Sequence, residues 1–310
     1  MKEFTFLKTN KKTPRLGFGS WQLGNTEFWG YMAYDDGIGL VKKAIESGVR
    51  FFDTAPGYAA GMSETIIGDA ISGKEDQIII NTKLGHMADG STDFSVSSLE
   101  EQVYESLERL KVKSLDSVLL HNPDISILKH ETDHFEELER LKEEGLIKAY
   151  GVSIDTYEEL EAVIEHLNID VVEVLFNIFF QEVRPLLKKA KEKGITIITK
   201  VPLDSGWLTG KYDENSEFEG IRSRWDIETI ERRAKLVQEI RNITGDDDVT
   251  KYAIAFIMSF DEIDLVIPGI KNEDHLKQHI EYQSYVLPEK FKKAFIDLYD
   301  QHIKNDPLPW

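Results

Sequence analysis

The chain contains no cysteine. That removes disulfides, thiolate nucleophiles and sulfur-ligated metal centres, and it suits a reducing compartment. Positive charge is in short supply: 37 lysines and arginines stand against 56 aspartates and glutamates, a net charge of −19. Such a surface repels phosphate backbones, so nucleic acid is not an expected partner. No apolar run approaches the roughly 18 residues of a spanning helix, so no membrane partner is expected either. The opening "MKEFTFLKTNKK" has neither a signal-type apolar core nor a cleavage pattern. A cytoplasmic location is the resulting expectation.

Across the 310 residues, short β-branched runs alternate with amphipathic stretches and no linker intervenes. Strands are predicted at 15–19, 50–54, 78–83, 117–121, 149–153, 171–176, 195–201 and 265–269. Helices are predicted at 36–47, 63–72, 95–109, 133–143, 156–166, 181–193 and 226–243, with more near 250–259, 273–280 and 288–303. Several strands are apolar on consecutive residues, as when both faces of a parallel sheet are buried. Gly48, Gly145 and Gly194 are expected to follow helices as C′ residues, and Ser63 to start one. Eight strand–helix units predict an α/β fold, a single (β/α)8 TIM barrel spanning 1–310, with residues 2–13 as a hairpin plug. The rival, a doubly wound sheet, needs G-x-G-x-x-G after its first strand. "LGFGSWQLG" misplaces the third glycine.

Barrel chemistry lies at the carboxyl ends of strands. Those positions hold Asp53, Lys83 and His121, with Tyr58 in the loop "DTAPGY". Each alone has a plain structural role: a loop-bonding acid, a packing ring, a rim lysine, a turn-bracing histidine. Together they converge on one mouth, and Lys83 in "IIINTKLG" needs a buried partner, for which Asp53 is the candidate. Two letter patterns are decoys. "HETDH" (130–134) matches a zinc-protease signature, but Asp133 and Glu136 read as an N-cap and its capping-box partner, leaving His130 in a loop; no metal site is expected. "GWLTGKY" lacks the spacing of a P-loop and its magnesium-binding Ser/Thr.

"RFFDTAPGY", "NTKLG", "LDSVLLHNPD", "EEGLIKAYGVS", "PLDSGWLTGKY" and "VIPGIKNEDHL" follow one another in the order and spacing of the aldo-keto reductase family, which the chain resembles from residue 16 to about 280. The resemblance implies reduction of an aldehyde or ketone to an alcohol, or the reverse, with NADPH as hydride donor and NADH possible. It puts the catalytic set on Asp53, Tyr58, Lys83 and His121. Tyr58 is expected to donate the proton, its acidity increased by Lys83, while Asp53 holds Lys83 charged and His121 orients the carbonyl. Backbone amides around Ser205–Leu208 are expected to hold the pyrophosphate, Lys271 a 2′-phosphate, and Ser153 and Asn177 the nicotinamide amide. Ser20, Trp21, Lys200, Pro202, Leu203, Gly206, Lys211, Gly269 and Gln278 complete the coenzyme wall, and Trp21, Trp29 and Trp225 belong to loops shaping substrate choice. Glu173, Lys200, His275 and His279 depart from the commoner pattern of a glutamine, an aromatic, an arginine and an asparagine. Two alternatives stay open: a coenzyme-binding sensor with weak turnover, and a barrel aldolase using Lys83 as a Schiff-base amine.

Overall fold

A computed structural model describes residues 3–7, 9–25 and 30–309, less the side chain of Ile221; Trp29 lies outside them. A small antiparallel hairpin, β1 (Glu3–Thr5) and β2 (Lys12–Pro14), precedes an eight-stranded parallel sheet. Its strands follow in chain order: β3 (Phe18–Gly19), β4 (Phe51–Asp53), β5 (Ile79–Leu84), β6 (Ser117–His121), β7 (Tyr150–Ile154), β8 (Val171–Leu175), β9 (Thr196–Lys200) and β10 (Leu265–Val266). Parallel bridges Leu16–Val266 and Gly19–Gly269 join first strand to last and close the ring. Outside it run α1 (Tyr34–Glu46), α2 (Met62–Ile71), α3 (Leu99–Leu110), α4 (Ile125–Leu128), α5 (His134–Glu143), α6 (Tyr157–His166), α7 (Leu187–Glu192), α8 (Ile227–Thr244), α9 (Val249–Met258), α10 (Glu273–Tyr282) and α11 (Glu289–His302).

The period of two along each strand divides the side chains. Phe51, Ile79, Leu119, Ala149, Val171, Ile198 and Leu265 form an interior cluster, while their neighbours Phe52, Ile80, Val118, Leu120, Val172 and Ile197 join the core beneath the helices. Two or four residues further along, the same inward rows carry Asp53, Lys83, His121, Ser153, Glu173 and Lys200. Register aligns them: His121 pairs with Ser153, and Ser153 with Glu173. The lower interior is therefore apolar and the upper interior charged. Gly151 sits in the inward row because a Cβ there would come within 1.7 Å of the Val171 carbonyl oxygen.

The hairpin closes the lower end. Phe6 is fully buried against Phe51, ring centroids 5.3 Å apart, a burial that stabilises by about 1.5–3 kcal/mol. Lys11 donates to the carbonyls of Glu75 and Ile78 and to Asp116, which also accepts from Lys148.

Four expectations change. The terminal barrel strands are shorter than predicted: regular pairing of the last stops before Pro268, which has no N–H to give. Pro185 breaks the predicted helix 181–193 into a 3-10 turn, Arg184–Leu186, and α7. Gly61, not Ser63, precedes α2; Ser63 is buried and bonds Thr54 and Ser20. Asp133 makes no side-chain cap bond, and Glu136 contacts His130 instead, so the capping box is absent. In "HETDH", His134 is engaged by Thr132 and the Phe94 carbonyl, while His130 meets Glu136.

Candidate active site

Asp53 ends β4 and Lys83 lies near the end of β5, both almost wholly buried. Lys83 Nζ donates to both Asp53 oxygens, each at 2.7 Å, and to the Thr54 carbonyl at 3.1 Å. Asn81 Nδ2 adds a third bond to the carboxylate at 2.7 Å, and Ser117 Oγ in turn holds Asn81. Burial pushes the Asp53 carboxyl up, Glu173 adds to this, and Lys83 and Asn81 pull against it. Burial would strip Lys83 of its proton, but Asp53 and Glu173 outweigh it and hold the ammonium above the ordinary lysine range. The lysine is thus charged, which disfavours the Schiff-base alternative.

Tyr58 stands on a pinned turn. Its amide donates to the Ala55 carbonyl, its own carbonyl accepts from Ser63, and the following Ala59 and Ala60 adopt left-handed backbone. Lys83 Nζ lies 5.2 Å from the phenol ring centroid, and the His121 ring meets that ring edge-on at 6.3 Å. Burial raises the Tyr58 pKa, Lys83 pulls it down as expected, and Asp53 and Glu173 oppose that pull. His121 is held well below the usual histidine range by burial first, then by Lys83 and Lys200, so its imidazole is neutral.

The upper interior continues as a charged network. Lys200 Nζ donates to Ser153 Oγ and Asn122 Oδ1, each at 2.9 Å, and pairs with Asp155 at 2.8 Å. Ser153 Oγ donates to Glu173 Oε1 at 3.0 Å, and Glu173 Oε2 lies 3.6 Å from Lys83 Nζ.

A cleft of about 1690 Å³ opens above these groups. Asp53, Tyr58 and His121 line its inner part, while Lys83 lies behind them. Of the expected coenzyme wall, Ser20, Trp21, Lys200, Pro202, Leu203, Ser205, Gly206, Lys211, Gly269, Lys271 and Gln278 line the cleft. Ser153, Asn177 and Leu208 do not. Asn177 spends its amide on the Val201 carbonyl and the Phe179 and Phe180 amides, Ser153 serves the Lys200–Glu173 bridge, and Leu208 is core. The Gly206 and Leu208 amides, expected to hold pyrophosphate, both donate to the Leu203 carbonyl. Ser20 reaches the wall, yet its hydroxyl donates to the Asp53 carbonyl.

The loop after β9 is strained: Val201, Asp204 and Ser205 all have positive φ, between 45° and 52°, a conformation uncommon for residues with a Cβ. A buried ion pair that sequence reasoning missed holds it. Arg233, from α8, is fully buried; its Nε meets Asp204 Oδ2 at 3.1 Å, and its Nη2 donates to the Pro309 carbonyl. The signal was slight, since "ERRAKLV" reads as an ordinary charged helix face.

The orphaned polar atoms fit a polar ligand. Gln22 Oε1, His121 Nδ1, Glu173 Oε2 and His279 Nδ1 are buried without a hydrogen-bond partner among the described residues, and all four side chains line the cleft. Such groups are costly unless a ligand or water satisfies them.

A closed parallel barrel with titratable groups gathered at its strand ends is the plan of a barrel enzyme. A model of the Aldo/keto reductase family matches residues 15–300. Over 218 residues the chain is 33% identical to aldo-keto reductase YhdN of Bacillus subtilis, a match covering 68% of this chain and 65% of that protein. The holo form of aldo-keto reductase AKR11C1 from Bacillus halodurans superposes with a TM-score of 0.81 at 23% identity, covering 97% of this chain and 99% of that one. An aldo-keto reductase from Klebsiella pneumoniae in complex with NADPH gives 0.74 at 22% identity, with full coverage of both chains. The chain belongs to the aldo/keto reductase family, and is an NAD(P)H-dependent oxidoreductase of that type.

Proposed function

We propose that this protein reduces an aldehyde or ketone to an alcohol, or runs the reverse oxidation, with Tyr58 as the proton donor. The observation that carries this reading is the buried two-point pair of Asp53 and Lys83 behind Tyr58, with a neutral His121 at its edge. A carbonyl receiving hydride becomes an alkoxide, which needs a proton and stabilisation of its charge. Tyr58 Oη gives that proton. Lys83 stabilises the phenolate left behind, and Asp53 keeps the ammonium aimed. The neutral His121 ring donates a hydrogen bond to the carbonyl oxygen without bringing a second cation into the pocket.

The cleft residues and their orphaned atoms fit a dinucleotide. Bound there, a nicotinamide coenzyme supplies the hydride. Trp21 and Gly269 bound the inner cleft, and Lys211, Lys271 and Gln278 line the wall expected to hold the adenosine end. Lys271 lines the cleft, where its ammonium can pair with a 2′-phosphate. That favours NADPH over NADH. The strained loop 201–206 lies along the same wall, with the Arg233–Asp204 pair fixing its shape.

The test is a titration of the purified protein with NADPH and with NADH, followed by a panel of aliphatic and aromatic aldehydes. The proposal expects saturable NADPH binding and loss of reduced coenzyme on adding an aldehyde. Binding without turnover of any carbonyl or alcohol would favour the sensor reading.

A further inference from the structure

Glu173 is 1% exposed, lines the inner cleft, and leaves Oε2 with no hydrogen-bond partner. Its other oxygen is fixed by Ser153 Oγ at 3.0 Å, itself held by Lys200, so the side chain cannot turn away. Lys83 stands between it and the phenol: 3.6 Å from Oε2 on one side, 5.2 Å from the Tyr58 ring centroid on the other. The Asp53–Lys83 pair is complete without it, as Lys83 already donates to both Asp53 oxygens and to Thr54. Glu173 is thus a second carboxylate beside Lys83, fixed in place on the lining of the cleft.

We infer that Glu173 sets the relative affinity for the two redox forms of the coenzyme, favouring the oxidised one. The inference rests on the coenzyme reading above. The redox-active ring must come close to a carbonyl that itself contacts Tyr58, and so within reach of the Glu173 field. Loss of a hydride turns that ring from a neutral dihydropyridine into a pyridinium cation; the hydride becomes the C–H of the alcohol, and a proton from Tyr58 becomes its O–H. A fixed carboxylate on the lining of the same cleft would attract the cation and do little for the neutral ring. Charges interact strongly where water is excluded. Lys200 carries the opposite sign in the same network but is already engaged by Asp155, Asn122 and Ser153. The oxidised form therefore gains on balance, and the internal equilibrium moves toward carbonyl reduction, with product coenzyme slow to leave.

The measurement is the dissociation constant of NADP+ and of NADPH, by calorimetry and by fluorescence, for wild type and Glu173→Gln. The isosteric change removes the charge and keeps the acceptor for Ser153. The expected result is that Glu173→Gln shifts the NADP+/NADPH affinity ratio toward NADPH by about tenfold, a change of about 30 mV in the potential of the bound couple. Lys200→Met, which removes a cation from the same network, should move the ratio the other way. An unchanged ratio in whichever variant folds, by thermal melt, overturns the inference while leaving the reductase reading intact. Failure of wild type to bind either form overturns both.

Discussion

Lys83 Nζ meets both oxygens of Asp53 at 2.7 Å, in a place where both residues are almost wholly buried. The pair spans two adjacent strands, so it serves both the stability of the barrel and the protonation state of the site. Removing one member leaves the other charged and buried. Asp53→Asn should therefore destabilise the protein by about 3–5 kcal/mol and also lower kcat. Urea denaturation and steady-state kinetics on the same preparation check the two effects.

Tyr58→Phe removes only the hydroxyl, and the pinned turn beneath it depends on backbone bonds that phenylalanine retains. A loss of about 10²- to 10⁴-fold in kcat is expected, with the dissociation constant for NADPH nearly unchanged. Full turnover in this variant would remove Tyr58 from the proton-donor role.

His279 is buried beside His275 and its pKa is pushed down to about 3, by burial first and by His275 second. The unfolded chain binds a proton near pH 6.5 and the folded chain does not, so His279 contributes stability that is complete above about 6.5 and declines as pH falls toward 3. Its slope approaches about 1.4 kcal/mol per pH unit within that window. Other groups titrate there too, Asp53 with the opposite sign, so the difference between wild type and His279→Asn isolates it. Denaturation curves at successive pH values should show the two proteins converging in acid, wild type losing stability faster. Parallel curves would exclude a neutral buried His279.

The Arg233–Asp204 pair is fully buried on both sides. Arg233→Met strands Asp204 and should cost about 3–5 kcal/mol. Adding Asp204→Leu should recover most of that stability. NADPH affinity should stay reduced in the double variant, because the strained conformation of Asp204 and Ser205 is no longer held. Chemical denaturation and coenzyme titration separate these outcomes.

The barrel was legible because a buried parallel sheet writes itself as short apolar runs, and because Gly48, Gly145 and Gly194 close their helices with positive φ. Asp53, Lys83 and His121 were legible for a related reason: a charge at the end of such a run has nowhere to go but the mouth. What failed depended on which face or lone pair was already spoken for. Asn177 looked like a strand-end ligand but serves its own turn, and Ser63 looked like a cap but braces Ser20. The pull of Lys83 on the Tyr58 phenol was legible, but the opposing effects of burial, Asp53 and Glu173 do not follow from spacing along the chain. Arg233 escaped notice because the burial of one arginine on α8 follows only from the path of the loop it meets.

The hairpin that seals the lower end has a kinetic consequence. With Phe6 packed under the interior cluster and Lys11 latched to Asp116, the lower end is sealed, and among the described residues the reaction vessel is entered from its upper end. Whatever lies deepest enters first and departs last. Two occupants of such a vessel queue, and the order of the queue is set by architecture before any affinity is considered.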